Sequence, residues 1–145
     1  MNEQSNPPVR PLAVGRSILG VLAGIVVGIV LSLGTDWGAR ETGWAPAQNE
    51  RWPDRLLLVA VVYRSIYGVL AGYLIARLAP NRPMGHALVA GVLGTLVSTL
   101  GAVAAWSSTF GQHWYPIALA LMALPTAWLG AKFHLMQLRT EATAG

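Results

Sequence analysis

Residues 56–76 read LLLVAVVYRSIYGVLAGYLIA, a run whose one charge is Arg64. A helix rises 1.5 Å per residue and bilayer hydrocarbon is about 30 Å thick, so roughly 20 mostly apolar residues make one crossing. This run meets that length. Its eleven Leu, Ile and Val residues each return about 0.3–0.6 kcal/mol on insertion, against about 2.5–3.5 kcal/mol for a central arginine. The segment therefore inserts despite Arg64. Working outward, three more runs qualify: about 12–34, 86–106 and 115–133. The expected fold class is all-α: an antiparallel, up-down-up-down four-helix transmembrane bundle with short connections.

The composition agrees. Of 145 residues, 54% are hydrophobic and 11% charged, against about 25% charged in ordinary soluble domains. Mean hydropathy is +0.49. With no cysteine, disulfides, thiolate metal sites and cysteine nucleophiles are excluded. The formal charge of +4 would suggest nucleic acid in a soluble protein, but the placement of the basic residues speaks for the membrane and against nucleic acid. Arg10, Arg16, Arg77, Arg82, Lys132 and Arg139 fall on one side. Arg40, Arg51 and Arg55 fall on the other, diluted by Asp36, Glu41, Glu50 and Asp54. The positive-inside rule then puts both termini in the cytoplasm. Trp37, Trp44, Trp52, Trp106 and Trp114 gather on the outer side, where indoles favour the headgroup level. The expected location is a bacterial inner membrane, multi-pass. Residues 1–11 form a loose lead, 12–136 the transmembrane domain, 35–55 a tryptophan-rich outer loop, and 137–145 an untethered tail. The first run is too long for a signal-peptide core and is expected to be retained.

RSILGVLAG at 16–24 returns as RSIYGVLAG at 64–72. Successive spans run in opposite directions, so the copies would be inverted, as in transporter repeats. Low complexity explains the same match, and Arg16 and Arg64 sit at different depths in their spans. Rows of small residues spaced by four are firmer. Gly20, Gly24 and Gly28 mark the first span, and Gly68, Gly72 and Ala76 the second. Ala90, Gly94, Ser98 and Ala102 mark the third, and Ala123, Ala127 and Ala131 the fourth. Such rows let backbones approach where lipid gives no hydrophobic drive between helices. Pro125 is expected to kink the fourth span.

Arg64 needs a partner. It continues the row Ala60, Gly68, Gly72 and so faces other helices, with Tyr63, Ser65 and Tyr67 beside it. Ser98 or Thr99 can approach from the third span. Four readings stay open: an ion pair with Asp36 at the outer end of the first span, an anion or lipid-headgroup site at Arg64, Tyr63, Tyr67 and Asp36, snorkelling to the outer surface, or a span whose boundary lies elsewhere. The lack of a deep carboxylate argues against a proton-coupled exporter.

Catalytic and metal motifs are missing from the chain: it has no HExxH, no GxxxxGK and no GxSxG. His86 and His134, near the inner ends of their spans, read as polar end residues rather than haem ligands. The expectation is no enzyme, no catalytic residue, no metal and no cofactor.

LSLGTDWGARETGW, YRSIYGVLAGYLIARLAPNRPMGHA and HWYPIALALMALPTAWLGAKF together resemble a group of small bacterial four-span integral membrane proteins with no assigned function. The resemblance implies one integral bundle in a bacterial envelope and transfers no site residues. The expected role is action by helix packing, as an accessory subunit of a larger membrane complex or as a homo-oligomer. The alternative is a minimal channel or carrier for a small anion or lipid-like solute at Arg64.

Overall fold

The computed structural model describes residues 11–47, 50–79, 81–104, 106 and 112–144, with 11–14 as backbone alone. Its helices are α1 (Pro11–Glu41), α2 (Asp54–Leu78), α3 (Pro83–Ala104) and α4 (Trp114–Ala144), and there is no strand among the described residues. Each of the four contains a segment long and apolar enough to cross a membrane. The protein is multi-pass by this measure.

Two helices outrun their apolar cores. α1 does not end at Gly34 but continues through Thr35–Glu41, seven residues expected in the outer loop. The true stop signal lies beyond it. Gly43 has φ +72, its amide bonds the Arg40 carbonyl, and the Trp44 amide bonds that of Ala39. This is the Schellman pattern, which glycine enters without a Cβ penalty. Likewise α4 runs on to Ala144, through most of the expected tail. Neither Gly nor Pro interrupts residues 132–144, so no residue there breaks the helix. α2 starts after Pro53, and α3 has Pro83 as its first residue, where a missing amide costs nothing. Pro80, two residues past the end of α2, lies outside the described residues, as does Arg10.

Burial is inverted relative to a water-soluble protein. The interior is Ala60, Ala76, Ala87, Ala90, Ala127 and Ala131 with Ile75, while Leu19, Val30, Leu33, Val97, Leu100 and Leu121 are exposed. Large side chains outside and small ones inside is the arrangement that lipid solvent permits. α2 packs most extensively on α4, α4 on α3, and α1 on α2. α1 touches α3 only slightly and α4 not at all among the described residues.

The small residues make these contacts. A Cβ on Gly72 would sit 2.6 Å from the Ala127 carbonyl oxygen and 2.8 Å from its Cα, and one on Gly68 would meet the Thr126 hydroxyl at 2.6 Å. Gly24 lies against Ile75 and Ala71, Gly20 against Leu78, and Gly28 more loosely against Ala71. Gly94 faces Ala123 at ordinary distance, and Ser98 faces a cleft rather than a helix. The spacing-by-four rows missed two tight positions. Gly130 would drive a Cβ into the Val69 carbonyl and the Tyr73 amide, and Gly91 into Ala127 and Leu124. Both lie one residue off the rows yet meet the same neighbour, Gly91 like Gly94 on α4 and Gly130 like Ala127 on α2, so each contact face is wider than one row. Pro125 stands inside a continuous α4. Beside it, the Thr126 hydroxyl bonds the Met122 and Ala123 carbonyls.

Gly72→Leu should destabilise the bundle in mild detergent by about 1–3 kcal/mol, the cost typical of overpacking, and so lower its melting temperature. Gly101→Leu, whose Cβ would meet nothing within 4 Å, should leave it unchanged.

Candidate functional site

The polar cluster forms where the last turns of α1, the first half of α2 and the start of α4 meet. Arg64 lies ten residues into α2, about 15 Å along its axis. Asp36 lies five residues before the end of α1. The extension of α1 past Gly34 places this carboxylate on a helix face rather than in a loop.

The structure brings together all four residues singled out from the sequence. Arg64 Nη2 donates to Asp36 Oδ2 at 2.5 Å, and the Tyr63 hydroxyl donates to Asp36 Oδ1. Each carboxylate oxygen thus accepts a bond from α2. Tyr67 shares a 2.8 Å hydrogen bond with the Thr35 hydroxyl, and its ring lies 5.7 Å from that of Tyr63. The pair is half-buried, with the Arg64 side chain 29% and the Asp36 side chain 14% exposed. Arg64 Nε is buried without a hydrogen-bond partner.

Sequence reading missed two members of the cluster. Tyr115 of α4 lies with its ring centroid 6.0 Å from the Arg64 guanidinium carbon, a long cation–π contact. Thr35 anchors Tyr67 and also bonds the Leu31 carbonyl in its own helix. Their signals were present, as an aromatic pair opening the fourth span and a hydroxyl beside Asp36. Ser65 instead bonds the Val61 carbonyl, and Thr99 that of Thr95, each within its own helix. From α3 it is Thr95 that bridges, reaching the Ala120 carbonyl of α4 at 3.3 Å.

Next to the cluster lies an open cleft of about 450 Å³. Small residues line much of it, with Gly28 and Ser32 from α1, Gly68 and Ala71 from α2, and Gly94 and Ser98 from α3, while Ile29, Leu119 and Met122 are among its larger walls. Arg64 and Tyr67 reach it as well. It stays open because α1 rests mainly on α2, touches α3 only slightly and leaves α4 untouched among the described residues. Arg64 is therefore both paired and at a cavity wall, two arrangements that the sequence left as alternatives.

The remaining candidates are scattered. His134 packs edge-on to Tyr73, His86 Nδ1 lies 3.1 Å from the Arg82 carbonyl, and His113 stacks against Trp106 at 4.3 Å. Among the described residues no three His, Asp or Glu cluster as metal ligands. At the outer loop, the Arg40 guanidinium lies over Trp52 at 5.8 Å. Trp114 Nε1 donates to Asp54 at 2.9 Å, joining the starts of α2 and α4.

No protein-family model, curated protein or solved structure matches this chain significantly. Function is therefore argued from its own geometry.

Removing one charge of a half-buried pair strands the other. Asp36→Asn and Arg64→Gln should each lower stability in detergent. The double variant should be less destabilised than the two single losses added together, with a coupling of about 1–2 kcal/mol once partial exposure is discounted. Denaturant titration of the four proteins measures that coupling.

Proposed function

We propose that the protein is a multi-pass protein of the bacterial inner membrane that works by lateral association, as an accessory subunit of a membrane complex or as a homo-oligomer. In this reading it is an antiparallel four-helix bundle with both termini in the cytoplasm, belonging with the small bacterial four-span proteins that its motifs resemble. The antiparallel order is supported by contacts that run in opposite senses along α1 and α2: Gly20 with Leu78, Gly24 with Ile75, Gly28 with Ala71 and Thr35 with Tyr67. Gly91 with Leu124 and Thr95 with Ala120 do the same for α3 and α4. Arg77, Arg82, Lys132 and Arg139 then share one side, which the positive-inside rule assigns to the cytoplasm.

The observation that carries the association reading is the open cleft. The rows at Gly20, Gly24, Gly68, Gly72 and Ala127 are spent on contacts within the chain. Gly28, Gly94 and Ser98 line the cleft beside Gly24, Gly68 and Gly72, and Gly28 and Gly94 meet Ala71 and Ala123 only at the ordinary distances of 3.7 and 3.5 Å. A further apolar helix laid there would meet small residues on three sides, the surface on which helices pack in lipid.

One observation favours a second reading, a minimal channel or carrier for a small anion or lipid-like solute: the cleft reaches Arg64, whose Nε has no hydrogen-bond partner. Direct pairing with Asp36 offsets this by neutralising the charge, which is why association stands first.

Purification in a gentle detergent followed by mass spectrometry should return a stable membrane partner or a second copy. A photo-crosslinker at Ser98 should capture it, and one at the exposed Leu121 should not. A lone monomer with no crosslink from Ser98 in native membranes overturns the association reading. In proteoliposomes assayed with chloride and phosphate, flux unchanged by Arg64→Leu rules out the carrier site. Because the chain has no cysteine, single-cysteine labelling reads its topology directly. Glu41→Cys should react with an impermeant maleimide in intact cells and Thr143→Cys only after lysis.

A further inference from the structure

A second groove, of about 660 Å³, lies between the N-terminal part of α1 and the first half of α3. Asp36 and Arg64 take no part in it. Its walls are apolar apart from Ser17: Ile18, Val21 and Leu22 from α1, Val89 and Leu93 from α3. Ile18, Val89 and Leu93 are each about half exposed, at 55%, 57% and 44%. One end is different. There the lining is Arg82, Gly85 and His86, at the turn that opens α3.

Length decides what such a groove holds. Arg82 and Leu93 are eleven residues apart, about 16 Å of helical rise. That is half of the roughly 30 Å hydrocarbon thickness, the depth of one leaflet. An apolar trough one leaflet deep with a basic end has the dimensions of one phospholipid, acyl chain along the walls and phosphate at the mouth.

The charge at the mouth is not already spent. The Asp36–Arg64 pair is the one ion pair found among the described residues, and it leaves Arg82 out. Neither α3 nor α1 before Asp36 carries an acidic residue that would compete for it. The backbone adds to the attraction. Met84 and Gly85 lie in the first turn of α3, where amides have no carbonyl of their own helix to bond and the helix dipole is positive. Phosphates favour such positions. Arg82 itself is held at φ +49, in the left-handed region, with the His86 amide on its carbonyl.

We propose that this groove binds a single anionic phospholipid, its phosphate at Arg82 and the first-turn amides of α3 and one acyl chain between Ile18, Leu22, Val89 and Leu93. The proposal needs only that the helices cross a bilayer, and is independent of the association and carrier readings. Arg82 takes the lipid rather than Arg64 because Asp36 already neutralises Arg64.

Native mass spectrometry of the detergent-purified chain, titrated with phosphatidylglycerol or phosphatidylcholine, tests it. Wild type should retain one phosphatidylglycerol per chain in preference to phosphatidylcholine. Arg82→Gln, at an exposed turn, should weaken retention about fivefold, the effect of one interfacial arginine. Val89→Trp should block the groove and weaken it too. Arg77→Gln, an interfacial arginine outside the groove, should change nothing. Millimolar inorganic phosphate should not displace the lipid. Circular dichroism and gel filtration establish that each variant is folded, and should Val89→Trp fail that check, Arg82→Gln decides alone. Equal retention of the two lipids, wild-type retention by Arg82→Gln, an equal loss in Arg77→Gln, or displacement by free phosphate each overturns the proposal.

Discussion

The backbone-to-backbone approach of α2 and α4 at Gly68, Gly72, Ala127 and Gly130 is the contact on which the other helix positions depend. In lipid, separating two helices exposes no apolar surface to water, so association rests on close packing and interhelical hydrogen bonds. A side chain at Gly72 or Gly130 would meet main-chain atoms rather than a movable side chain. Because α2 touches α1, α3 and α4 alike, shifting it against α4 would shift everything else. The same economy explains the modest interior. Its members are mostly alanines, and among the described residues no large side chain is fully buried.

The polar cluster follows from that frame. With α2 fixed, Arg64 has two directions to satisfy its charge, and α1 supplies the answer by continuing as helix past Gly34 to present Asp36. The carboxylate then accepts bonds from both Tyr63 and Arg64, so a charge expensive in hydrocarbon is met within one pair of helices. α1 is thereby committed to α2 at both ends, by Gly20 and Gly24 at one and Asp36 at the other. It cannot also close on α4. The open cleft is what that commitment leaves.

Much of this was legible in the chain, and its limits have specific causes. Apolar runs located the four helices, since insertion depends on summed local hydropathy. They misjudged the ends of α1 and α4, because hydropathy marks where lipid stops and backbone capping marks where helix stops. Gly43 ended α1, and nothing in residues 132–144 breaks α4. The need of Arg64 for a partner was readable from its burial cost, and Asp36 was the candidate acid at the outer end of the first span. Tyr115 and Thr35 were visible as an aromatic opening the fourth span and a hydroxyl beside Asp36, but that they join the cluster was not, since helix rotation brings them there. Gly91 and Gly130 escaped notice for a related reason. A row spaced by four is a single line of residues, whereas the contact face also takes in the position beside it.

By itself, then, the sequence determined solvent, helix number and the one charge that demanded company, all consequences of composition counted along a line. Tertiary structure alone decided which small residues meet backbone, how Arg64 can be paired and still reach a cleft, and that an apolar trough one leaflet deep ends at Arg82. These depend on the rotation and register of one helix against another. Local hydropathy carries no record of either, because in lipid every face of an apolar helix is equally well solvated until a neighbour's shape selects one.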